Sequence, residues 1–212
     1  MRIALINGSP KLKNSASETM LEDMKYFIGN EAETVDVDLH TQEVSGLARE
    51  ELGRSDVWLF AFPLYLDAVP GHLLSCLVQL EKLRPVCPEV RVYAIVNCGF
   101  YEGIQTQTAM EVLSNWCARA GFVWGGGVGV GGGGGLNQLP RRKYGSGPRA
   151  PVDKALDLLA AVITEVETHE NIYVSVGFPR FLYKLAAQMG WRKMLRANGL
   201  KKEALGNIPP RE

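Results

Sequence analysis

The sequence predicts an α/β domain built on a parallel sheet of five strands with helices on both faces. Short apolar runs recur along the chain, and segments with helical spacing of apolar residues separate them. Most of these runs are almost entirely apolar, as are strands that are covered on both faces. Strands and helices that alternate in this way form a doubly wound parallel sheet with right-handed crossovers.

Each predicted strand is followed by a turn-forming or polar segment. The strands are 3–6, 34–39, 56–62, 91–96 and 122–130. Segment 34–39 alternates apolar and polar residues, which suits an edge strand with one solvated face. Helices are predicted over 15–27, 70–83, 103–120 and 151–167. Five strands joined by right-handed crossovers favour the flavodoxin-like order 2-1-3-4-5.

Ligands of such sheets bind at the carboxyl ends of the strands, near the switch between strands 1 and 3. The loop after strand 1, residues 7–17, brings an amide, hydroxyls and two lysines to the start of a helix. Unpaired N–H groups and the helix dipole attract an anion there. The loop has neither a Walker A sequence nor the glycines of a dinucleotide fingerprint, so it suits one terminal phosphate. A capping box from Ser15 to Glu18 explains the same residues without a ligand, and both interpretations stay open.

The loop after strand 3, residues 62–71, is apolar and stiff. Pro63 and Pro70 restrict its backbone, and Tyr65 lies between them among apolar residues. A flat aromatic ligand would find an apolar surface in this loop. The alternative is a turn bounded by prolines, with Tyr65 packed on the core.

Two motifs in these loops resemble a known family, the NADPH-dependent FMN reductases of flavodoxin-like type. The first motif is Gly8-Ser9-Pro10-Lys11 with Ser15 and Ser17, and the second is Pro63-Leu64-Tyr65 with Val69-Pro70-Gly71. Multimeric flavodoxins and iron–sulfur flavoproteins share this signature, which covers about the first 135 residues. The sequence departs from the family at Ala16, where relatives often carry Asn, and at Leu74, where they usually carry Lys. It also lacks the cluster-binding cysteines.

The resemblance implies an FMN site with a phosphate end and a ring end. At the phosphate end it places Ser9, Lys11, Ser15, Ala16 and Ser17. Around the ring it places Pro63, Leu64, Tyr65, Leu66, Asn97, Gly99, Phe100 and Tyr101. Gly99 and Gly103 would let the backbone of the loop after strand 4 approach the ring closely. The flavin would carry the chemistry, so no separate catalytic residue and no metal is expected.

The expected function is that of an FMN-dependent oxidoreductase with NADPH or NADH as co-substrate. The acceptor is expected to be a flavin, a quinone, a nitro- or azo-aromatic compound, or a protein. Two alternatives stay open, an electron-transfer protein of flavodoxin type and a non-catalytic FMN-binding module.

Charge and cysteine usage exclude several other classes. The 23 basic and 23 acidic residues cancel, which argues against a general nucleic-acid-binding protein and an acidic electron shuttle. The four cysteines, at 76, 87, 98 and 117, stand singly and match neither a zinc ribbon nor an iron–sulfur motif. The first apolar run is too short for a signal peptide or a membrane span, so we expect a cytoplasmic protein.

Three other features are given structural interpretations. The glycine-rich stretch 125–135 matches a dinucleotide pattern by chance and is predicted to end the fifth strand and continue as a mobile loop. The histidines at 40, 72 and 169 are predicted to be surface or packing residues. The basic run 141–143 is interpreted as a solvated charge run, with attraction of nicotinamide phosphates as the alternative.

Two parts are expected, an FMN-binding domain over 1–170 and a basic amphipathic extension over 171–212. The extension has eight basic and two acidic residues, a net charge of +6, whereas residues 1–170 carry a net −6. Phe181, Leu182, Leu185 and Met189 form an apolar stripe. We expect the extension to dock on its own domain or on a partner subunit, and the protein to be a homodimer or larger. A membrane-surface helix and a cationic lid are the competing interpretations.

Overall fold

The computed structural model describes residues 1–83, 89–138 and 144–201. Six strands lie in it: β1 (Arg2–Asn7), β2 (Glu33–Asp38), β3 (Val57–Pro63), β4 (Arg91–Asn97), β5 (Val123–Gly131) and β6 (Ile172–Ser175). Six α-helices accompany them: α1 (Ala16–Ile28), α2 (Gly46–Gly53), α3 (Gly71–Leu80), α4 (Gln107–Ala120), α5 (Ala150–Thr164) and α6 (Arg180–Ala197). Short 3₁₀ helices cover Gly103–Thr106, Gly133–Gln138 and Gly147–Arg149.

All neighbouring strands pair in parallel, in the order β2-β1-β3-β4-β5-β6. The predicted doubly wound sheet and the order of its first five strands are confirmed. The predicted number of strands is wrong by one, because β6 adds a sixth strand at the edge beyond β5. This strand has four residues, all of them half-buried, so it lacks the apolar run that marks a covered strand.

Helices cover both faces of the sheet. On one face α2, α3 and α4 pack against β1, β3 and β4 around an aromatic cluster of Trp58, Phe60, Trp116 and Phe122. The indole N–H groups of Trp58 and Trp116 donate to backbone carbonyls at 3.0 and 3.1 Å, which satisfies their only polar atoms. On the other face α1 packs against α5. The central strands β3 and β4 are therefore buried along almost their whole length.

Local signals set the ends of several helices. Helix α1 stops at Gly29, where φ is +56°, and α4 stops at Gly121, where φ is +81°. Both positions favour glycine because other residues rarely adopt a left-handed backbone. Helix α2, which the sequence analysis does not predict, has only eight residues and buries just Ala48 and Leu52.

The glycine-rich stretch is mostly strand. Gly125–Gly131 lies inside β5, and a 3₁₀ helix begins at Gly133. Other groups pack closely against alternate glycines on one side of β5. A Cβ atom at Gly127 would lie 2.9 Å from the Met110 sulfur, and one at Gly129 would overlap the Thr106 hydroxyl. The predicted fifth strand is thus confirmed and ends one residue later than expected, and a 3₁₀ helix over Gly133–Gln138 lies where the loop was predicted. Since the pattern runs along a strand, it does not form a dinucleotide-binding turn.

The chain divides into two compact units, Met1–Gly177 and Phe178–Glu212. Strand β6 belongs to the first unit, whereas the division expected from the sequence lies before it. The second unit contains α6, an 18-residue helix with no buried residue. No helix in the described part of the chain is long and apolar enough to cross a membrane.

Candidate functional site

The three loops that the sequence singles out lie side by side, because β1, β3 and β4 are neighbours in the sheet. Backbone hydrogen bonds join them. The N–H of Gly8 donates to the carbonyl of Ala61 at 2.9 Å, and the N–H of Leu64 donates to the carbonyl of Asn97 at 2.7 Å. The carboxyl edge of the sheet therefore brings the predicted site residues into one region.

The first loop is held by short-range bonds around Ser9. Its N–H donates to the side-chain oxygen of Asn7 at 3.2 Å, and its hydroxyl accepts from the N–H of Lys11 at 3.2 Å. The ammonium group of Lys11 donates to the carbonyl of Asn14 at 2.8 Å. Asn7, the last residue of β1, thus holds the first loop, although it is absent from the site residues expected from the sequence.

The start of α1 contains the predicted capping box. The Ser15 hydroxyl accepts from the N–H of Glu18 at 3.0 Å, and the Glu18 carboxylate accepts from the N–H of Ser15 at 3.2 Å. The capping interpretation is therefore correct for these two residues. It does not exclude a ligand, because the N–H groups of Ala16 and Ser17 have no partner within the helix by its geometry.

The three serines assigned to the phosphate end are all buried. In each of them the hydroxyl oxygen accepts a hydrogen bond: Ser9 from Lys11, Ser15 from Glu18 and Ser17 from Asn97. A hydroxyl that accepts keeps its own hydrogen for donation. These hydrogens, the first N–H groups of α1 and Lys11 form a donor set that fits a phosphate.

Asn97 braces two loops. Its side-chain amide donates to the hydroxyl of Ser17 and to the carbonyl of Phe62, both at 3.1 Å. The residue is 4% exposed, and a Cβ atom at Gly133 would lie 2.7 Å from its Cβ. Both amide hydrogens are thus bonded inside the protein. Asn97 therefore holds Ser17 and Phe62 in place, and its amide N–H groups are not available to a flavin ring.

The second loop projects from the edge as a tight turn. The backbones of Tyr65 and Ala68 exchange two hydrogen bonds of 3.0 Å. Leu66 and Asp67 between them have φ of +49° and +59°, a conformation that side chains other than glycine rarely adopt. Leu66 is fully exposed and Tyr65 is half-exposed, whereas Pro63 and Leu64 are partly buried. Tyr65 therefore does not pack into the core, which was the alternative.

The third loop is tied to the end of β5. The N–H of Cys98 donates to the carbonyl of Val130 at 2.9 Å, and the N–H of Gly132 donates to the carbonyl of Phe100 at 2.6 Å. Gly99 is exposed, and a Cβ atom at this position would have nothing within 4 Å. Phe100 is 51% exposed, and Tyr101 is partly buried.

Exposed apolar side chains of the second and third loops lie at this edge of the sheet. Tyr65, Leu66 and Phe100 are all half or more exposed, and Ile104 follows in the 3₁₀ helix after the third loop. Leu12 of the first loop is also exposed and lines a cavity beside Asp36 and Asp38. Leu12 is not recognisable from the sequence, because a single leucine between two lysines forms no pattern. An apolar rim beside a phosphate-type donor set fits the two ends of FMN.

The remaining reactive groups at this edge are not arranged for chemistry. Cys98 is buried, and its burial raises the pKa of the thiol, which disfavours the reactive thiolate. No group of metal-binding side chains occurs among the described residues. The basic run 141–143 and Cys87 lie outside the described residues.

His40, one of the histidines predicted to be surface or packing residues, contacts the first loop. The Nδ1 atom of His40 is 2.5 Å from the carbonyl oxygen of Ser9, and its Nε2 atom is 3.2 Å from the carboxylate of Asp38. The first of these contacts joins residues 31 positions apart in the chain, so spacing in the sequence does not reveal it.

Neither a family model nor a curated protein sequence matches this chain. Solved structures do. Rubredoxin:oxygen oxidoreductase of Desulfovibrio gigas matches with a TM-score of 0.55 and 15% identity over 78% of this chain, which spans only 35% of that protein. The flavodoxin, WrbA-like protein of Agrobacterium tumefaciens matches with a TM-score of 0.52 and 13% identity, covering 78% of this chain and 96% of that one.

A protein of P. pentosaceus described as an NADPH-quinone reductase matches with a TM-score of 0.52 and 13% identity, over 80% of this chain and 99% of that one. At these identities the likeness shows the fold and leaves substrates open. Strand order, the position of the loops and these matches agree. The chain therefore has the flavodoxin-like fold that its motifs implied.

Proposed function

We propose that this protein binds FMN at the carboxyl edge of its sheet and uses it as an NAD(P)H-dependent oxidoreductase. The observation that carries the proposal is the pairing at one edge of a buried serine-rich helix start with an exposed apolar rim. A phosphate needs the first and a flat aromatic ring needs the second. The structural likeness to a protein described as an NADPH-quinone reductase supports the redox assignment.

At the phosphate end, Ser9, Ser15 and Ser17 donate their hydroxyl hydrogens and Lys11 contributes charge. Ala16 contributes only its N–H group, because its methyl group has no polar atom. Glu18 opposes a phosphate by its charge, although its carboxylate is engaged with the N–H of Ser15. One phosphate is compatible with this donor set, whereas the pyrophosphate of FAD has no glycine-rich turn to receive it.

At the ring end, the turn that carries Tyr65 and Leu66 and the loop that carries Phe100 and Tyr101 enclose the flavin between two neighbouring strand ends. Pro63, Leu64 and Gly99 contribute backbone and apolar contacts to the flavin ring. Asn97 holds the loops together through its bonds to Ser17 and Phe62. Bound flavin supplies the hydride chemistry. The residues of the chain need only orient the ring and leave one face open to a nicotinamide.

A small flat acceptor suits the exposed rim, so a flavin, a quinone or a nitro- or azo-aromatic compound is the proposed class. An electron carrier that never meets a nicotinamide, or a non-catalytic FMN module, has the same fold and is the alternative. Reaction with a nicotinamide separates the enzyme from both alternatives.

Flavin identity and reduction test this function. The cofactor extracted from the purified protein should elute as FMN and not as FAD on chromatography. Under anaerobic conditions, NADPH or NADH should bleach the long-wavelength flavin band of the intact protein within minutes. Dithionite serves as the control that the bound flavin is reducible. Bleaching by dithionite without bleaching by either nicotinamide would refute the enzyme and leave the carrier or the FMN module.

Assembly is the second part of the proposal, and it rests on α6. This helix has five basic and no acidic residues, and Phe181, Leu182, Leu185 and Met189 are exposed. Apolar exposure of this extent marks an interaction surface, and its basic charge complements the net −6 of residues 1–170. A second copy of the chain offers that complement, so the protein forms a homodimer or a larger assembly through the extension 171–212.

Light scattering at micromolar concentration should therefore give a mass of at least two chains. Leu185→Glu, which places a charge in the apolar stripe, should shift the protein towards the monomer. Gly190→Glu is the matched control, since Gly190 is exposed with nothing within 4 Å of its Cβ position. A wild-type monomer, or equal masses for the two variants, would count against assembly through α6.

A further inference from the structure

His40 connects the edge strand of the sheet to the first loop. It follows β2, and its Nδ1 atom is 2.5 Å from the carbonyl oxygen of Ser9. A carbonyl oxygen only accepts, so Nδ1 carries the hydrogen of this bond. On the other side of the ring, Nε2 lies 3.2 Å from the Asp38 carboxylate, a contact that becomes an ion pair when Nε2 is protonated as well. The side chain of His40 is only 13% exposed.

The bond from His40 is one of three hydrogen bonds that hold Ser9. The N–H of Ser9 is held by Asn7, its hydroxyl oxygen receives the N–H of Lys11, and its carbonyl receives His40. Only the hydroxyl hydrogen of Ser9 then lacks an assigned partner among these contacts. Since the serine is 3% exposed, its orientation is set by these three neighbours and not by solvent.

Other groups near His40 contact the first loop at Asn7 and Gly8: the N–H of Leu39 donates to the carbonyl of Asn7 at 2.9 Å. His72, in the first turn of α3, faces the same region, and the pKa of its imidazole is lowered by burial, with the carbonyls of Gly8 and Leu39 acting in the opposite direction. Its Nε2 atom is buried, and no hydrogen-bond partner for it occurs in the described part of the chain. His72 therefore borders Gly8, whereas His40 is the ring that bonds to Ser9.

We propose that His40 is a positioning residue for the phosphate end of the FMN site, acting through the Ser9 carbonyl so that the Ser9 hydroxyl can donate to the phosphate. This inference rests on the proposed binding of FMN. The inference extends the proposed function, because it assigns a role in cofactor affinity to His40, a residue outside the three loops. Because the effect passes through Ser9, it should concern the phosphate and not the flavin ring.

Three variants and two ligands test the role. His40→Asn keeps an N–H donor at the place of Nδ1, His40→Gln moves the donor towards the place of Nε2, and His40→Leu has no donor. Dissociation constants for FMN and for riboflavin, which lacks the phosphate, are measured by quenching of flavin fluorescence. Thermal unfolding of each variant reports whether it is folded.

Loss of one hydrogen bond next to a charged group should weaken FMN binding about tenfold in His40→Leu and His40→Gln. Riboflavin binding should change less than about twofold, and His40→Asn should bind FMN within about threefold of wild type. Equal weakening for both ligands, or wild-type affinity for FMN in His40→Gln, would overturn the positioning role. Wild-type protein that binds no FMN would instead refute the proposed function itself.

Discussion

Gly131→Ala is expected to lower the melting temperature by about 6–12 °C, corresponding to about 3 kcal/mol of unfolding free energy. A Cβ atom at Gly131 would overlap the carbonyl oxygen of Tyr101 and lie 2.6 Å from the backbone nitrogen of Gly103. Both contacts are with backbone, so no side chain can rotate away and the third loop has to move. Thermal unfolding followed by circular dichroism measures the effect.

Gly135→Ala is the matched control within the same glycine-rich stretch. No atom of the described residues lies within 4 Å of a Cβ atom at this position, so the substitution should be neutral or stabilise by less than about 1 kcal/mol. Because Gly131 contacts the loop of Tyr101, its variant should also bind FMN more weakly than the Gly135 variant. Equal melting temperatures for the two variants would contradict the role assigned to close packing on β5.

Asn97→Leu is expected to destabilise the protein by about 2–5 kcal/mol, although leucine is of similar size. The substitution leaves the buried carbonyl of Phe62 and the hydroxyl of Ser17 without the amide that bonds to both at 3.1 Å. Each unsatisfied buried group costs about 1–3 kcal/mol. Urea denaturation gives the change in unfolding free energy.

Ser17→Ala provides the comparison, because it removes one partner of the same amide and leaves the bond to Phe62. It should cost about 1 kcal/mol. Since Asn97 joins the first and third loops, both substitutions should also weaken flavin binding. An Asn97→Leu protein within about 0.5 kcal/mol of wild type would show that the brace is not required for stability.

The sequence predicts the central strands and the three loops because both have local causes. Val57–Phe62 is apolar throughout and is buried throughout, as a strand between two layers of helices must be. The capping box joins Ser15 to Glu18, only three positions apart, so it too can be predicted from the sequence. Once the strand order follows from right-handed crossovers, the adjacency of the loops follows as well.

Short and half-exposed elements escape prediction for the converse reason. β6 has four residues and α2 has eight, too few for a periodic pattern to stand out. The glycines of β5 contribute little to the prediction of that strand, because glycine has a low intrinsic tendency to form strands. Their strand conformation depends on neighbours, the Met110 side chain and the backbone of the third loop, that only the fold brings close.

For this protein, the sequence alone determined where β1, β3 and β4 end and where the three loops after them begin. Tertiary structure decided which polar atoms in those loops are already engaged. Asn97 and Ser17 are 80 residues apart, and His40 and Ser9 are 31 apart, yet hydrogen bonds join each pair. Such bonds depend on strand order and register, which place distant residues within hydrogen-bonding distance, and no pattern in the local sequence encodes that distance.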